Sequence, residues 1–141
     1  MKRMVIGVGN PTRGDDGAGL EVARRVVSVE AHQALQGSYE LMDVWEGADE
    51  VIVVDAARSG APPGTVHRFD AHDERLPSGL LATSTHSVGV VETIEMARLL
   101  GRLPERVVVY GIEVSSLGPE VGLSARVEQA VSELVKEIDH A

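Results

Sequence analysis

Two aspartates and a histidine, Asp16, Asp55 and His86, stand where this sequence can build a site for a divalent cation. Carboxylate oxygens and an imidazole nitrogen suit such an ion, and three protein ligands leave coordination positions open for a reacting group. They come from a short list. In an open α/β sheet, chemistry gathers beyond the carboxyl ends of the strands, and few polar residues stand there. Asn10, Asp15 and Asp16 follow the first strand, and His32 and Gln33 the second. Asp55 closes the third, Thr85, His86 and Ser87 precede a long helix, and Glu113 follows the last strand. Each also has a plain reading. Asp15 and Asp16 suit the N-terminus of a helix, Asp55 a turn after a strand, and a lone His86 the protein surface. His67 reads as structural, His72 and His140 as solvent-exposed, and Ser84, Thr85 and Ser87 as helix caps. The absence of a G-x-S-x-G elbow argues against a serine nucleophile.

The elements that must position these residues alternate between strand and helix signals, the pattern of a single-domain α/β layered sheet over residues 1–141. Met4 to Val8 is a short apolar run ending in Gly9-Asn10, a buried first strand. A helix follows from about Gly17 to Val29, with Leu20, Ala23, Val26 and Val27 at helical spacing and Arg24 and Arg25 opposite. Val29 to Leu35 is a weak second strand. Ser38 then reads as the N-cap of a short helix with Leu41, Met42 and Trp45 on its apolar stripe. Val51 to Val54 is the clearest central strand. Thr65 to Phe69 alternates like an edge strand and allows one antiparallel neighbour in a mostly parallel sheet. His72 to Thr85 reads as a long functional loop. A helix from about Val88 to Leu100 stops at Gly101, Arg106 to Tyr110 is another buried strand, and Ser124 caps a last helix to about Ile138.

Composition closes off several classes. The 141 residues contain no cysteine, which excludes disulfides, Cys-based zinc sites and a cysteine nucleophile. The apolar run near the N-terminus is too short for a signal peptide or a membrane span, so a soluble, cytoplasmic protein is expected. A net charge of -9 argues against nucleic acid or an anionic membrane as partner. One Phe, one Trp and two Tyr are too few for a base-stacking platform. The run Gly7, Gly9, Gly14, Gly17, Gly19 does not fit G-x-G-x-x-G, because Thr12 takes the third glycine position, and two aspartates at the helix start would repel a pyrophosphate. These glycines read as permitting tight turns and close approach of a large partner's backbone.

The segments VIGVGNPTRGDDGAG, VIVVDA, THSVG and YGIEVSSLGPEVGLS, in this order and spacing, resemble the nickel-iron hydrogenase maturation proteases over nearly the whole chain. The resemblance implies a twisted sheet between helices, a three-layer sandwich. It implies cleavage near the C-terminus of the hydrogenase large-subunit precursor after nickel has been inserted, by a protein expected to be a monomer. The family's three nickel contacts map onto Asp16, Asp55 and His86. The nickel would arrive with the substrate, another divalent cation standing in for it on the isolated protein. Two mechanisms stay open: the metal polarises the carbonyl or activates a water, or it only anchors the substrate while a carboxylate acts as general base. The chain departs from the family at Leu35-Gln36-Gly37-Ser38, where many members carry an acidic residue and paired glycines. It departs again at Val114, where proline often follows the glutamate. Both departures concern substrate contacts.

Two other classes share parts of this pattern. Peptidyl-tRNA hydrolases also open with a strand and a GNP-type turn, but their expected histidine is replaced here by Asp15-Asp16-Gly17. A phosphoacceptor receiver domain needs the same acid pair and strand-end aspartate for magnesium. It also needs a lysine at the end of the last strand, where this chain has Tyr110-Gly111-Ile112.

Overall fold

Apolar residues on both faces of three strands dictate a sheet buried between two layers of helices. In the computed structural model, which describes residues 1–10, 13–34, 39–77, 79–81, 89–115 and 122–141, those strands are β1 (Arg3–Val8), β3 (Glu50–Ala57) and β5 (Arg106–Glu113), with the more exposed and more polar β2 (Glu30–Ala34) beside β1. They run parallel in the order β2-β1-β3-β5, and β4 (Val66–Asp70) lies antiparallel to β5 at the edge. The helices are α1 (Ala18–Arg25), α2 (Glu40–Val44), α3 (Val90–Leu100) and α4 (Ala125–Asp139). The expected α/β sandwich with a mostly parallel sheet is the observed one, its antiparallel strand included.

Period-two alternation divides the core. Met4, Ile6, Val8, Val51, Val53, Val107 and Val109 face α2 and α3, where Leu41, Met42, Trp45, Val90, Ile94 and Ala97 meet them. Val5, Ile52, Val54, Val108, Tyr110 and Ile112 face α1 and α4, against Ala18, Val22, Ala23, Val127, Val131 and Leu134. Trp45 is 1% exposed, and its indole N–H donates to the Arg102 carbonyl at 3.1 Å. Trp45→Ala should therefore cost about 3–5 kcal/mol, read as a shift in the urea midpoint at unchanged slope.

The glycines of the opening motif serve the molecule's own packing. A Cβ on Gly7 would fall on the Gly19 carbonyl oxygen, and one on Gly19 on the carbonyl oxygens of Val54 and Val8. Helix α1 can lie this close to β1 and β3 only because neither residue has a side chain. The expected approach of a partner's backbone is thus, at these two positions, the approach of a helix to its own sheet.

Several boundaries differ from the sequence pattern. A 3-10 turn at Gly14–Gly17 precedes α1. The helix ends at Arg25, with Val26 extended and Val27 87% exposed. The cause lies at the far end of the chain, where the Asp139 carboxylate accepts the backbone N–H of Val27 and Ser28 at 3.1 and 3.0 Å. Strand β2 begins at Glu30, while β3 runs on through Asp55 to Ala57 and β5 through Tyr110 to Glu113. The expected N-cap Ser38, Leu35 and the residues Ser84 to Val88 lie outside the described residues. Among the described residues no helix is long and apolar enough to cross a membrane.

Candidate active site

The connections of β1 create the crevice. From β1 the chain passes through α1 on one face to β2, and from β2 through α2 on the opposite face to β3, on the other side of β1. Such a reversal parts the loops at the carboxyl ends of the two central strands and opens a binding crevice there. Asp16 and Asp55 stand at those two ends.

Asp16 lies in the 3-10 turn after β1 and is 6% exposed. The N–H of Asn10 donates to its carboxylate Oδ2 at 3.0 Å and to its carbonyl oxygen at 3.3 Å, so the turn folds back onto the end of β1. Asp55 is 0% exposed, and its Oδ1 accepts the N–H of Ala56 at 2.8 Å. It occupies a regular position in β3, opposite Gly111 of β5, and is not the turn residue its place after VIVV allowed. It shares the α2/α3 face with Val51 and Val53, by the alternation of the strand. His86 lies outside the described residues. The described residues on either side are Leu81, which bridges Ala57 of β3, and Gly89, which precedes α3 on the face that carries Asp55. Among the described residues alone, no three His, Asp or Glu side chains gather to hold a metal. Asp16 and Asp55 are the two described members of the expected donor set.

Asp15 has a different task from its neighbour. It is 1% exposed and accepts the N–H of Ser115 at 2.8 Å, the N–H of Ser124 at 2.7 Å and the Ser124 hydroxyl at 2.9 Å. Its carboxylate ties the turn after β1 to the end of β5 and the start of α4, and Ser124 turns its hydroxyl to Asp15 instead of capping α4. Hydrogen bonds to a charged group contribute about 1.5–3 kcal/mol each, and orphaned buried donors add a penalty. Asp15→Ala should lower the unfolding free energy by about 3 kcal/mol in chemical denaturation, with Asp15→Asn milder.

The remaining candidates settle into structural places. His32 pairs with Glu30 at 2.7 Å on the exposed edge strand, and the side-chain amide of Gln33 donates to the Leu20 carbonyl at 3.0 Å, tying β2 to α1. His72 and His140 are exposed, as expected.

Glu113 and His67 form a cluster with Ser59 that the sequence pattern did not join. Glu113 is 2% exposed and accepts the Ser59 hydroxyl at 2.6 Å, the Ser59 N–H at 2.9 Å and His67 Nε2 at 3.0 Å. Burial pushes its carboxyl up, but hydrogen bonds from Ser59, His67 and the N–H of Gly60 outweigh this and hold it below the usual carboxylate range. The stabilisation is present above the unfolded carboxyl's range and is lost as pH falls through the lowered folded value. Glu113→Gln should therefore melt below the wild type at neutral pH, the gap closing in acid. Thermal scans at several pH values test this, and a pH-independent gap would refute the assignment. The signal in the sequence was period-two spacing: His67 on β4 and Glu113 on β5 share one face only once the register, with His67 opposite Gly111, is known.

Comparison with known proteins decides what this crevice belongs to. The sequence profile of the family described as HycI, hydrogenase maturation protease, matches residues 33–141. The chain belongs to the hydrogenase maturation protease family. It is 28% identical to the hydrogenase expression/formation protein HupD of Rhodobacter capsulatus over 96% of this chain and 70% of that protein. It is 26% identical to the Hydrogenase 2 maturation protease of Escherichia coli K12 over 98% of this chain and 88% of that protein. The [NiFe] hydrogenase maturation protease HybD from Thermococcus kodakarensis superposes with a TM-score of 0.77 at 22% identity, over 99% of this chain and 98% of that one, which shows the shared fold. As a member of the family, the chain is an endopeptidase acting in hydrogenase maturation. The family match spans residues 33–141, which takes in Asp55 and His86 and begins after Asp16. Membership sets aside the peptidyl-tRNA hydrolase and receiver-domain readings.

Proposed function

We propose that this hydrogenase maturation protease removes the C-terminal extension of a nickel-iron hydrogenase large-subunit precursor and recognises the nickel already seated in that precursor. Asp16, Asp55 and His86 bind the substrate's nickel through two carboxylates and an imidazole, and so bring the scissile peptide into the crevice between β1 and β3. The observation that carries this reading is the pair of buried aspartates at the carboxyl ends of the two strands that flank the switch point. Burial of two carboxylates in one crevice is costly unless cationic or hydrogen-bonded partners offset it. A backbone N–H holds one oxygen of each aspartate in place. The donor set is incomplete for nickel by design of the reaction, because ligands of the precursor fill the remaining positions. Nickel then reports that the precursor's metal site has been filled before the extension is cut. The reaction takes place on a monomer in the cytoplasm, and purified protein should sediment at a single mass near 15.0 kDa.

A titration with Ni²⁺ alone tests the site without the substrate. Purified protein should bind one equivalent weakly at neutral pH. Binding should fade as pH drops below about 6.5, where an imidazole takes up its proton and cannot coordinate. It should vanish in Asp55→Asn. Equal Ni²⁺ binding by wild type and Asp55→Asn would refute the assignment.

A further inference from the structure

From a cavity beside the last turn of α4 we infer a second binding site, for a small molecule that joins a phosphate or carboxylate group to a short apolar body. Arg3, Glu50 and Arg106, which open β1, β3 and β5, line this cavity. It therefore sits at the amino ends of the parallel strands, the end opposite the crevice, and nickel binding at Asp16 and Asp55 plays no part in it. Its volume is about 240 Å³, below the about 300–1,000 Å³ of pockets for drug-sized ligands. Ile52, Val108 and Ile138 give it an apolar wall. Three arginines, Arg3, Arg68 and Arg106, face two glutamates, Glu50 and Glu137. In a chain of net charge -9 this is a local reversal of sign.

Tyr110 and Arg68 supply the donors. Tyr110 is 9% exposed, and a tyrosine buried this far ordinarily finds a partner for its hydroxyl. Here the hydroxyl has no partner among the described residues and is not sealed from solvent, so it opens into the cavity that the residue lines. Arg68 stands opposite Tyr110 in the register of β4 on β5, which brings both side chains to one face of the sheet. Its guanidinium is exposed and has no carboxylate partner among the described residues. The other two arginines are partly engaged. Arg3 Nε donates to Glu50 Oε1 at 3.2 Å, and Arg106 Nη1 stands 4.0 Å from Oε2 of the same carboxylate. An arginine fork meets two oxygens of a phosphate or carboxylate at once, and the phenol O–H adds a third hydrogen bond. The apolar body of the ligand then lies along Ile52 and Val108, which pair across β3 and β5. The exposed Glu137 opposes the bound anion from α4.

The test titrates phenyl phosphate, benzoate and inorganic phosphate into the full chain at low salt, followed by calorimetry and two-dimensional NMR. Phenyl phosphate or benzoate should bind at one equivalent, with shifts centred on Arg68 and Tyr110. The tighter of the two identifies the anionic group. It should bind at least about 10-fold more tightly than inorganic phosphate, which has no apolar body to bury. Arg68→Ala and Tyr110→Phe should each weaken binding by about 10-fold, and Arg68→Lys, which keeps the charge without the fork, should recover only part. Phenylalanine keeps the ring in the core and Arg68 is exposed, so both variants should fold, which far-UV circular dichroism checks. Glu137→Gln should tighten binding by about twofold, since it removes the opposing charge. Absence of saturable binding of either organic anion by about 20 mM, or binding undiminished in Arg68→Ala and Tyr110→Phe, would overturn the inference. Inorganic phosphate binding as tightly as the organic anions would also overturn it, leaving surface charge alone.

Discussion

Asp55→Asn should abolish cleavage of the nickel-loaded precursor while the protein remains folded. Asparagine has nearly the shape of aspartate and keeps an oxygen that can accept the Ala56 N–H now held at 2.8 Å. What it removes is charge. At a position 0% exposed, a neutral amide is easier to bury than a carboxylate, so stability should hold or rise. Binding of a divalent ion should collapse, since an amide oxygen is a far weaker donor than a carboxylate. A loss of about 10³-fold in kcat/KM corresponds to about 4 kcal/mol of lost transition-state stabilisation, a reasonable share for one charged ligand of three. Asp16→Asn and His86→Ala should behave alike. The assay follows the shortening of the precursor on a denaturing gel, with circular dichroism on the same samples. Retention of more than a tenth of wild-type activity by a folded Asp55→Asn would sink the assignment.

Cleavage should also discriminate by at least about 100-fold between precursor that carries nickel and the same precursor without it. On the proposed reading, two carboxylates and an imidazole contribute binding through the nickel that the substrate carries. A 100-fold preference requires only about 2.7 kcal/mol of differential interaction, well within what three ligands supply. The experiment mixes purified protease with precursor that is either nickel-loaded or nickel-free and compares initial rates. Equal rates would leave the protein an endopeptidase and remove nickel from its recognition of substrate.

Much of this architecture was legible because burial on both sheet faces leaves a plain mark. Val51 to Val54 and Arg106 to Tyr110 read as central strands, and both are. The antiparallel edge at β4 was visible in the alternation of Thr65 to Phe69. The two aspartates emerged from a topological rule applied to strand ends, and both lie at the switch point. The losses came where tertiary contacts override local pattern. Val27 continued the helical spacing of α1, but the Asp139 carboxylate, 112 residues later, draws its N–H out of the helix. Asp15 looked like a helix-start acid because its partners, Ser115 and Ser124, lie far down the chain. The cluster of Ser59, His67 and Glu113 needed the register of β4 on β5, which no local spacing encodes.

The bonds of Asp15 have a consequence for when the protease comes into being. Its acceptor oxygens join the turn that holds Asp16 to residues 100 and 109 positions further on. Contacts of such long sequence separation form late, because the intervening chain must be ordered before they return any free energy. During synthesis the N-terminal strand emerges first, yet the turn beside it is not fastened until the chain has been made past Ser124. A ribosome-bound fragment ending before Ser115 would carry both crevice aspartates and lack the anchor that holds one of them in place. The turn that holds Asp16 is therefore fastened only once the chain has been made past Ser124, and a shorter copy lacks that anchor.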